Sequence, residues 1–560
     1  MTSFSSLDRA KHLQQLKEQE YDLLVIGGGA TGCGIALDAA ARGLKIALVE
    51  KGDFASGTSS KSTKLIHGGL RYLKQLDIGL VRESGTERAV VHRLAPHLCV
   101  PEKMILPLVE GGTLGKYSTS LALRVYDFLA GVKKEDRRKM LSKKATLTKE
   151  PLLNDEKLVG GGYYAEYRTD DARLTIELIK KAIAYGALAL NYLEVTSYLY
   201  EGDQISGVVV TDHITGSTAE IKAKKVVSAA GPWVDKLRKI NDSIDDKRLF
   251  LSKGVHIVVP RDRLPLRQST YFDVPDGRMI FAIPRGKITY IGTTDTPYEG
   301  SLNRVVATAA DLDYLLKAAN NTFPSANLTK YDVISNWAGL RPLIHEQGKS
   351  PSEMSRKDEI FEAPDGLISI AGGKLTGYRK MAERIVDIVL RQLSADESIS
   401  FSNTTTSQIK LTKDPLGSKE EVARYIEEIS KDCISKGLDK YYGWYLVSNY
   451  GRVATEILAD IDTSKADVDT ALVLSELSYC LDHEMVQRLD DFLIRRTGRL
   501  YFDILTIPSI LDAVIELMAD RLVWSDARLH EEKERIQLLL KDAKTYYEQE
   551  VGVDGGGVMV

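Results

Sequence analysis

YDLLVIGGGATGCGIALDAAARGLKIALVE, residues 21–50, decides how the rest of the chain is read. Residues 22–26 form a short, nearly all-apolar run, as a parallel strand buried on both faces requires, and the run ends abruptly in glycine. Gly27, Gly29 and Gly32 follow at G-x-G-x-x-G spacing. The first permits a tight turn, the second lets backbone approach a pyrophosphate, and the third lets the next helix pack close to the strand. Residues 33–42 are alanine-rich and helical in pattern, so the N–H groups at the helix start would face an anion. Gly43 closes that helix, residues 44–49 form a second strand, and Glu50 stands at its end, where a carboxylate can bond a ribose hydroxyl. Together these features predict a Rossmann-like dinucleotide-binding unit.

At 560 residues the chain exceeds the size at which one hydrophobic core stops growing, so two or three domains are expected, and 43% hydrophobic residues can fill them. A net charge of −3 argues against a general nucleic-acid binder. The four cysteines, Cys33, Cys99, Cys433 and Cys480, are scattered without a C-x-x-C or a Cys/His cluster. That disfavours a zinc site and a disulfide framework, and a reducing compartment is expected. Residues 1–20 lack a charged segment followed by an apolar core; Ser5 and Asp8 have capping spacing, and a short polar helix is expected there. No run of eighteen uncharged apolar residues occurs, so no transmembrane helix is expected. The basic stretch KKEDRRKMLSKK, residues 133–144, has the charge to meet anionic lipid, with a solvated face the favoured reading.

After Glu50 comes KGDFASGTSSKSTKLIHGGLRYL, whose Ser, Thr and Gly density supplies donors for wrapping phosphates and a flavin ring. Arg71 in it could clamp an anionic substrate or make a surface ion pair. Residues 77–96 read as a helix and 105–107 as part of a strand; residues 170–185 read as an amphipathic helix burying Leu174, Leu178, Ile179, Ala182 and Ile183. Residues 205–212 and 217–221 alternate about a turn and predict a hairpin, and 226–228 a buried strand entering the turn Ala229–Pro232. A βαβ unit, a long excursion, a hairpin and a return strand ending in small residues is the layout of FAD-binding domains. From 248 to 336 the period becomes two, with strands at 255–259, 270–272, 279–283 and 288–292, an antiparallel sheet expected to cover the cofactor. WAGLRP, residues 337–342, precedes a polar loop. Residues 368–370 resume a buried strand, and AGGKLT repeats the strand–glycine–helix logic, with a helix expected near Thr376 that suits charge building up on a flavin. Beyond residue 401, SKEEVARYIEEI, ADVDTALVLSELSYC, MVQRLDDFLIRR and residues 507–524 show helical spacing, with charges read as mostly solvated.

At HGGLRYL, SKGVHIVVPR, IGTTDTPYEG, AGLRP and AGGKLTGYR, with Arg356 between the last two, the sequence resembles the FAD-dependent glycerol-3-phosphate dehydrogenases and the similar glycerol-phosphate oxidases. The resemblance implies oxidation of sn-glycerol 3-phosphate to dihydroxyacetone phosphate, with hydride passing from C2 to flavin N5 and electrons going on to a respiratory quinone. By motif position Arg71, Tyr72, His256, Arg341, Arg356 and Lys374 are the substrate-binding set. His256, Arg341 and Lys374 are the candidate catalytic groups, with His256 favoured to take the hydroxyl proton because an unshifted histidine titrates nearest neutrality. The implied FAD contacts are Gly27, Gly29, Ala30, Thr31, Gly32, Glu50, Lys51, Ser59, Ser60, Thr63, Lys64, His67, Gly68, Gly69, Val195, Ala230, Gly231, Gly373, Leu375 and Thr376.

The expected fold is therefore α/β, an α+β composite. Residues 1–20 form an extension. Residues 21–400 form a Rossmann-like FAD-binding domain of the glycine-oxidase type, with an antiparallel-sheet substrate domain inserted at about 90–165 and 248–345. Residues 401–552 form a helical C-terminal domain, and 553–560 a disordered tail. The resemblance carries a cytoplasmic location, peripheral on the inner face of the cell membrane, and a homodimer as expectations. The competing readings are an oxidase that passes electrons to oxygen, an amine or amino-acid oxidase of the same fold, and a non-catalytic flavin-binding redox sensor.

Overall fold

The computed structural model describes residues 3–66, 78–112, 137–244, 247–345, 357–397, 402–464 and 466–552. Two sheets face one another across a cleft. The first is built as the glycine-rich stretch requires: Glu20–Ile26 is central, with Thr218–Ser228 parallel to it on one side and Ile46–Val49 on the other. Leu188–Leu190 extends the sheet beyond Ile46–Val49, Ile368–Gly372 runs parallel beside Thr218–Ser228, and Asp358–Glu362 closes that edge antiparallel. Val25, Leu48 and Val227 are fully buried, as strands covered on both faces must be. The helices Ala30–Ala41, Asp171–Ala184 and Tyr378–Glu397 cover one face. The hairpin Leu193–Glu201 and Gln204–Asp212 joins the sheet through Thr218–Ser228 and helps to cover the other.

The N-terminal helix is less polar in its surroundings than expected. Ser5 caps a single 3₁₀ turn, Ser6–Asp8, and in the helix Arg9–Glu18 that follows Leu16 is buried and Arg9 pairs with Asp212 at 2.8 Å.

The second sheet is mostly antiparallel and takes strands from separated parts of the chain, Leu65–Ile66, Val100–Val109, Lys139–Ser142, Leu158–Arg168 and a run from Leu249–Pro260 to Ser335–Ile344. WAGLRP, expected to lead into a loop, lies inside the ten-residue strand Ser335–Ile344. That strand pairs along its whole length with Leu249–Pro260, setting Trp337 opposite His256, Gly339 opposite Gly254 and Arg341 opposite Ser252. Because side chains alternate faces along a strand, these residues share one face.

The C-terminal region is helical from Lys419–Ser435 to Asp526–Lys544. Its core is continuous with the second sheet: Leu446, Leu472, Phe492 and Ile504 belong to the same buried cluster as Leu106, Tyr164, Tyr290 and Trp337. DFLIRR, expected as part of an α-helix, forms a π-helical turn over Asp491–Arg496. The charges around it are not a solvated face either: Glu484, Asp490, Asp491, Arg495, Arg496 and Arg499 are all buried, held in ion pairs. The basic stretch near residue 140 does keep Lys139, Lys143 and Lys144 exposed. No described helix is long and apolar enough to cross a membrane.

Candidate active site

The cleft opens at the carboxyl ends of the parallel strands, the position ligands take in such sheets. It holds about 1850 Å³ of space between protein atoms, counting its open mouth. Gly27, Gly29, Ala30, Thr31, Glu50, Lys51, Ser59, Thr63, Val195, Ala230, Gly231, Gly373, Leu375 and Thr376, all expected to contact cofactor, line it. So do His256, Arg341 and Lys374. The two glycine turns near residues 29 and 373 converge on one cavity.

The cradle depends on two backbone features. Gly27 has φ +114°, a region that side-chain-bearing residues rarely adopt. A Cβ at Gly32 would stand 1.9 Å from the Gly27 carbonyl oxygen, so only glycine lets the helix Ala30–Ala41 start this close to the strand. That helix has no side-chain cap hydrogen bond at Gly29, and its first amide, Ala30 N, donates to Ser59 Oγ at 3.0 Å. A helix start whose N-cap residue is a glycine, at the base of a glycine-lined cleft, suits a pyrophosphate. Glu50 accepts from Gly28 N at 2.6 Å and Gly52 N at 2.8 Å; each carboxylate oxygen retains a lone pair for a ribose hydroxyl. The residues present thus fit FAD.

Two of the expected cofactor contacts, Lys64 and Ser60, are placed off the cleft lining. The Lys64 ammonium turns away from the cleft into a buried cluster, bonded to Asp171 and to Ser60 O at 2.9 Å, with Arg285 on Asp170 alongside. Ser60 is buried beneath the loop and does not line the cleft. Both side chains lie off the cleft lining, because the small-residue loop folds back on the acids that begin the helix Asp171–Ala184. His67, Gly68, Gly69, Arg71, Tyr72 and Arg356 lie outside the described residues, as does the tail from 553.

On the opposite wall, Arg341 is seated by the segment after Ile288–Gly292. Its Nη1 donates to Thr294 O at 3.1 Å and Asp295 Oδ1 at 3.2 Å, and its Nη2 to Thr293 Oγ1 at 2.9 Å. Thr293, Thr294 and Asp295 had no assigned task in the sequence, although they stand in the quoted motif IGTTDTPYEG. Glycines make the space: a Cβ at Gly254 would meet Arg341 Nη2 at 2.4 Å, and one at Gly292 would meet His256 Cδ2 at 2.1 Å. His256 stacks on Trp337 with centroids 4.6 Å apart and planes 11° from parallel, and its Nε2 lies 3.0 Å from Thr63 Oγ1. Its Nδ1 is buried without a hydrogen-bond partner. The expectation that His256 titrates near neutrality is overturned. Burial first, then the charges of Arg341 and Lys64, hold its pKa well below the usual value. Lys61, also not foreseen, borders the same cleft, and burial lowers its ammonium pKa to about 8.

A parallel sheet with paired glycine turns, joined to an antiparallel sheet that carries cations across the cleft, defines an FAD-dependent oxidoreductase. The profile of that description, FAD dependent oxidoreductase, matches residues 22–378, and one described as the C-terminal domain of alpha-glycerophosphate oxidase matches 404–529. The chain belongs to the family of FAD-dependent glycerol-3-phosphate dehydrogenases. The aerobic glycerol-3-phosphate dehydrogenase of Bacillus subtilis is 48% identical over 550 residues, covering 98% of this chain and 99% of that one. Its Staphylococcus aureus counterpart is 49% identical over 547 residues, 97% and 98% of the two chains. The crystal structure of the Bacillus halodurans glycerol-3-phosphate dehydrogenase complexed with FAD superposes with a TM-score of 0.82 at 44% identity, covering 97% of this chain and 99% of that one. The L-alpha-glycerophosphate oxidase of Mycoplasma pneumoniae shares the fold, at 21% identity and a TM-score of 0.56 over 71% of this chain and 99% of that one.

Proposed function

We propose that this chain oxidises sn-glycerol 3-phosphate to dihydroxyacetone phosphate in glycerol catabolism, and that the electrons leave to a respiratory quinone. The observation that carries the reading is the grouping of Arg341, Lys374 and His256 on the cleft that the cofactor turns open into. The substrate is a phosphate dianion beside a secondary alcohol. Its site needs fixed cations, an acceptor for the hydroxyl proton and an acceptor for hydride. Bound FAD supplies the hydride acceptor. The Arg341 guanidinium suits the phosphate as a planar fork and Lys374 adds a point charge, with Arg71, Tyr72 and Arg356 completing the set in this proposal.

His256 takes the proton. Its low pKa keeps the ring neutral at physiological pH, with a lone pair available. With the ring proton on Nδ1, Nε2 accepts from the Thr63 hydroxyl, and the substrate proton enters through that hydroxyl. C2 loses a hydride and its hydroxyl a proton, which leaves the ketone. A base this weak holds the proton only as the C–H bond breaks, which favours concerted loss of both.

Full-length relatives named dehydrogenases support an acceptor other than oxygen. A quinone acceptor in turn calls for a cytoplasmic protein that works peripherally at the inner face of the cell membrane. The oxidase reading draws on the name of the C-terminal profile. Anaerobic addition of glycerol 3-phosphate to the holoprotein should bleach the flavin band, and a soluble quinone analogue should restore it faster than air. An unbleached spectrum would overturn the substrate; rapid recovery in air with stoichiometric peroxide would overturn the quinone.

A further inference from the structure

The loop that follows Glu50 is held from outside its own domain. Asp53, fully buried, accepts from Arg495 Nε at 2.5 Å, Arg496 Nη1 at 2.7 Å, Arg496 Nη2 at 3.0 Å and Asn191 Nδ2 at 3.0 Å. Both arginines come from the π-helical turn Asp491–Arg496, more than 400 residues further along the chain. The same turn holds a second cofactor-side segment, since Tyr192 Oη donates to Asp491 Oδ1 at 2.5 Å. The two held segments are themselves joined: Tyr192 N donates to Gly52 O and Leu193 N to Glu50 O, each at 2.8 Å.

Asp53 does not line the FAD cleft, but the residues on both sides of it do, Glu50 and Lys51 before, Ser56 to Ser59 after. Gly52 N bonds Glu50 Oε1, Ala55 N bonds Gly28 O, and Ser59 Oγ accepts from the first amide of the cradle helix. Fixing Asp53 therefore fixes the carboxylate and hydroxyls that face the nucleotide. We propose that the π turn Asp491–Arg496 is a positioning device for FAD, with Arg495 and Arg496 acting through Asp53 and Asp491 acting through Tyr192, so that the C-terminal region presets the nucleotide-binding loop. Burial works against the Asp53 carboxylate, and the charges of Arg496 and Arg495 outweigh it, so Asp53 is ionised when folded. A single π turn is a common way to aim side chains at a functional site.

The inference rests on the FAD fold and not on the substrate reading. It is tested by titrating FAD into the full-length apoproteins of Asp53→Asn, Arg496→Lys and Tyr192→Phe, following flavin fluorescence and the Tm of apo and holo forms. If the loop spends a tenth of its time in the binding form, the apparent Kd for FAD rises about tenfold. That rise is expected for Asp53→Asn, with smaller rises for the two conservative variants, and the increase in Tm on adding FAD should shrink in the same order. A device that merely holds the fold together would lower apo and holo Tm equally and leave FAD affinity unchanged. That result, in whichever of the variants fold, overturns the proposal.

Discussion

Arg341→Ala tests the proposed chemistry most directly. The guanidinium is fixed by three protein acceptors, and its side chain is 20% exposed. Two unit charges 4 Å apart at an effective dielectric constant of 20 attract by about 4 kcal/mol. Partial exposure lowers that figure, and a charge-assisted hydrogen bond contributes about 1.5–3 kcal/mol. About 3 to 4 kcal/mol of lost substrate binding corresponds to a fall in kcat/KM of roughly 10²- to 10³-fold. The fold should survive, because Asp295 retains its bond to Ser252. The assay is anaerobic stopped-flow bleaching of the flavin against glycerol 3-phosphate concentration, with FAD content measured on the same sample. Glycerol in place of glycerol 3-phosphate provides the internal comparison: if Arg341 binds the phosphate, the variant discriminates between the two far less than the parent does. Parental kinetics, or a variant that has lost its flavin, would refute the assignment.

Further expectations follow from the same geometry. Gly292→Ala places a methyl group 2.1 Å from the present position of His256 Cδ2, so the ring must move; a displacement near 1 Å costs on the order of 10²-fold in flavin reduction rate, with FAD content intact. Glu50→Ala strips the acceptor from Gly28 N and Gly52 N and removes a ribose partner, and FAD should be lost on prolonged dialysis; an unchanged flavin ratio would count against the role. His97 is buried with both ring nitrogens unpartnered, and burial, with Arg173 and Lys180, lowers its pKa to about 3. Below the unfolded value of 6.5 the unfolded chain binds a proton that the folded one refuses, so stability falls with pH between 6.5 and about 3, by about 1.4 kcal/mol per unit. His97→Phe should flatten that limb, so that stability relative to the parent rises by about 2 kcal/mol on going from pH 7 to pH 5; a variant–parent difference that is the same at pH 7 and pH 5 would exclude it.

The cofactor half of the molecule was legible because its signals are local. Gly27, Gly29 and Gly32 report backbone constraints that any neighbour would impose, and Gly372 and Gly373, both at positive φ, repeat them. The substrate wall was legible in composition but not in arrangement. The seat of Arg341 on Thr293, Thr294 and Asp295 depends on pairing across three strands, and alternation within one strand does not reveal its partner. The charge of His256 was misjudged because burial and two neighbouring cations lie outside its own segment. The reading of the C-terminal charges as mostly solvated fails at Arg495 and Arg496 for the same reason at longer range: periodicity assigns a charge to the surface by default, and the acid that neutralises these, Asp53, belongs to another part of the chain.

The aromatic ladder from His256 through Trp337 to Tyr501, with ring centroids 4.6 and 5.3 Å apart, crosses the seam between the antiparallel sheet and the C-terminal helices. A seam of this kind makes the carboxyl-terminal third a poor candidate for exchange by recombination. A donor segment from another oxidoreductase would bring contours that no longer mate with Trp337, Tyr290 and Leu106, and a chain cut near residue 400 would leave that oily wall bare. Drift in the helices and drift in the sheet are thus bound to proceed as one.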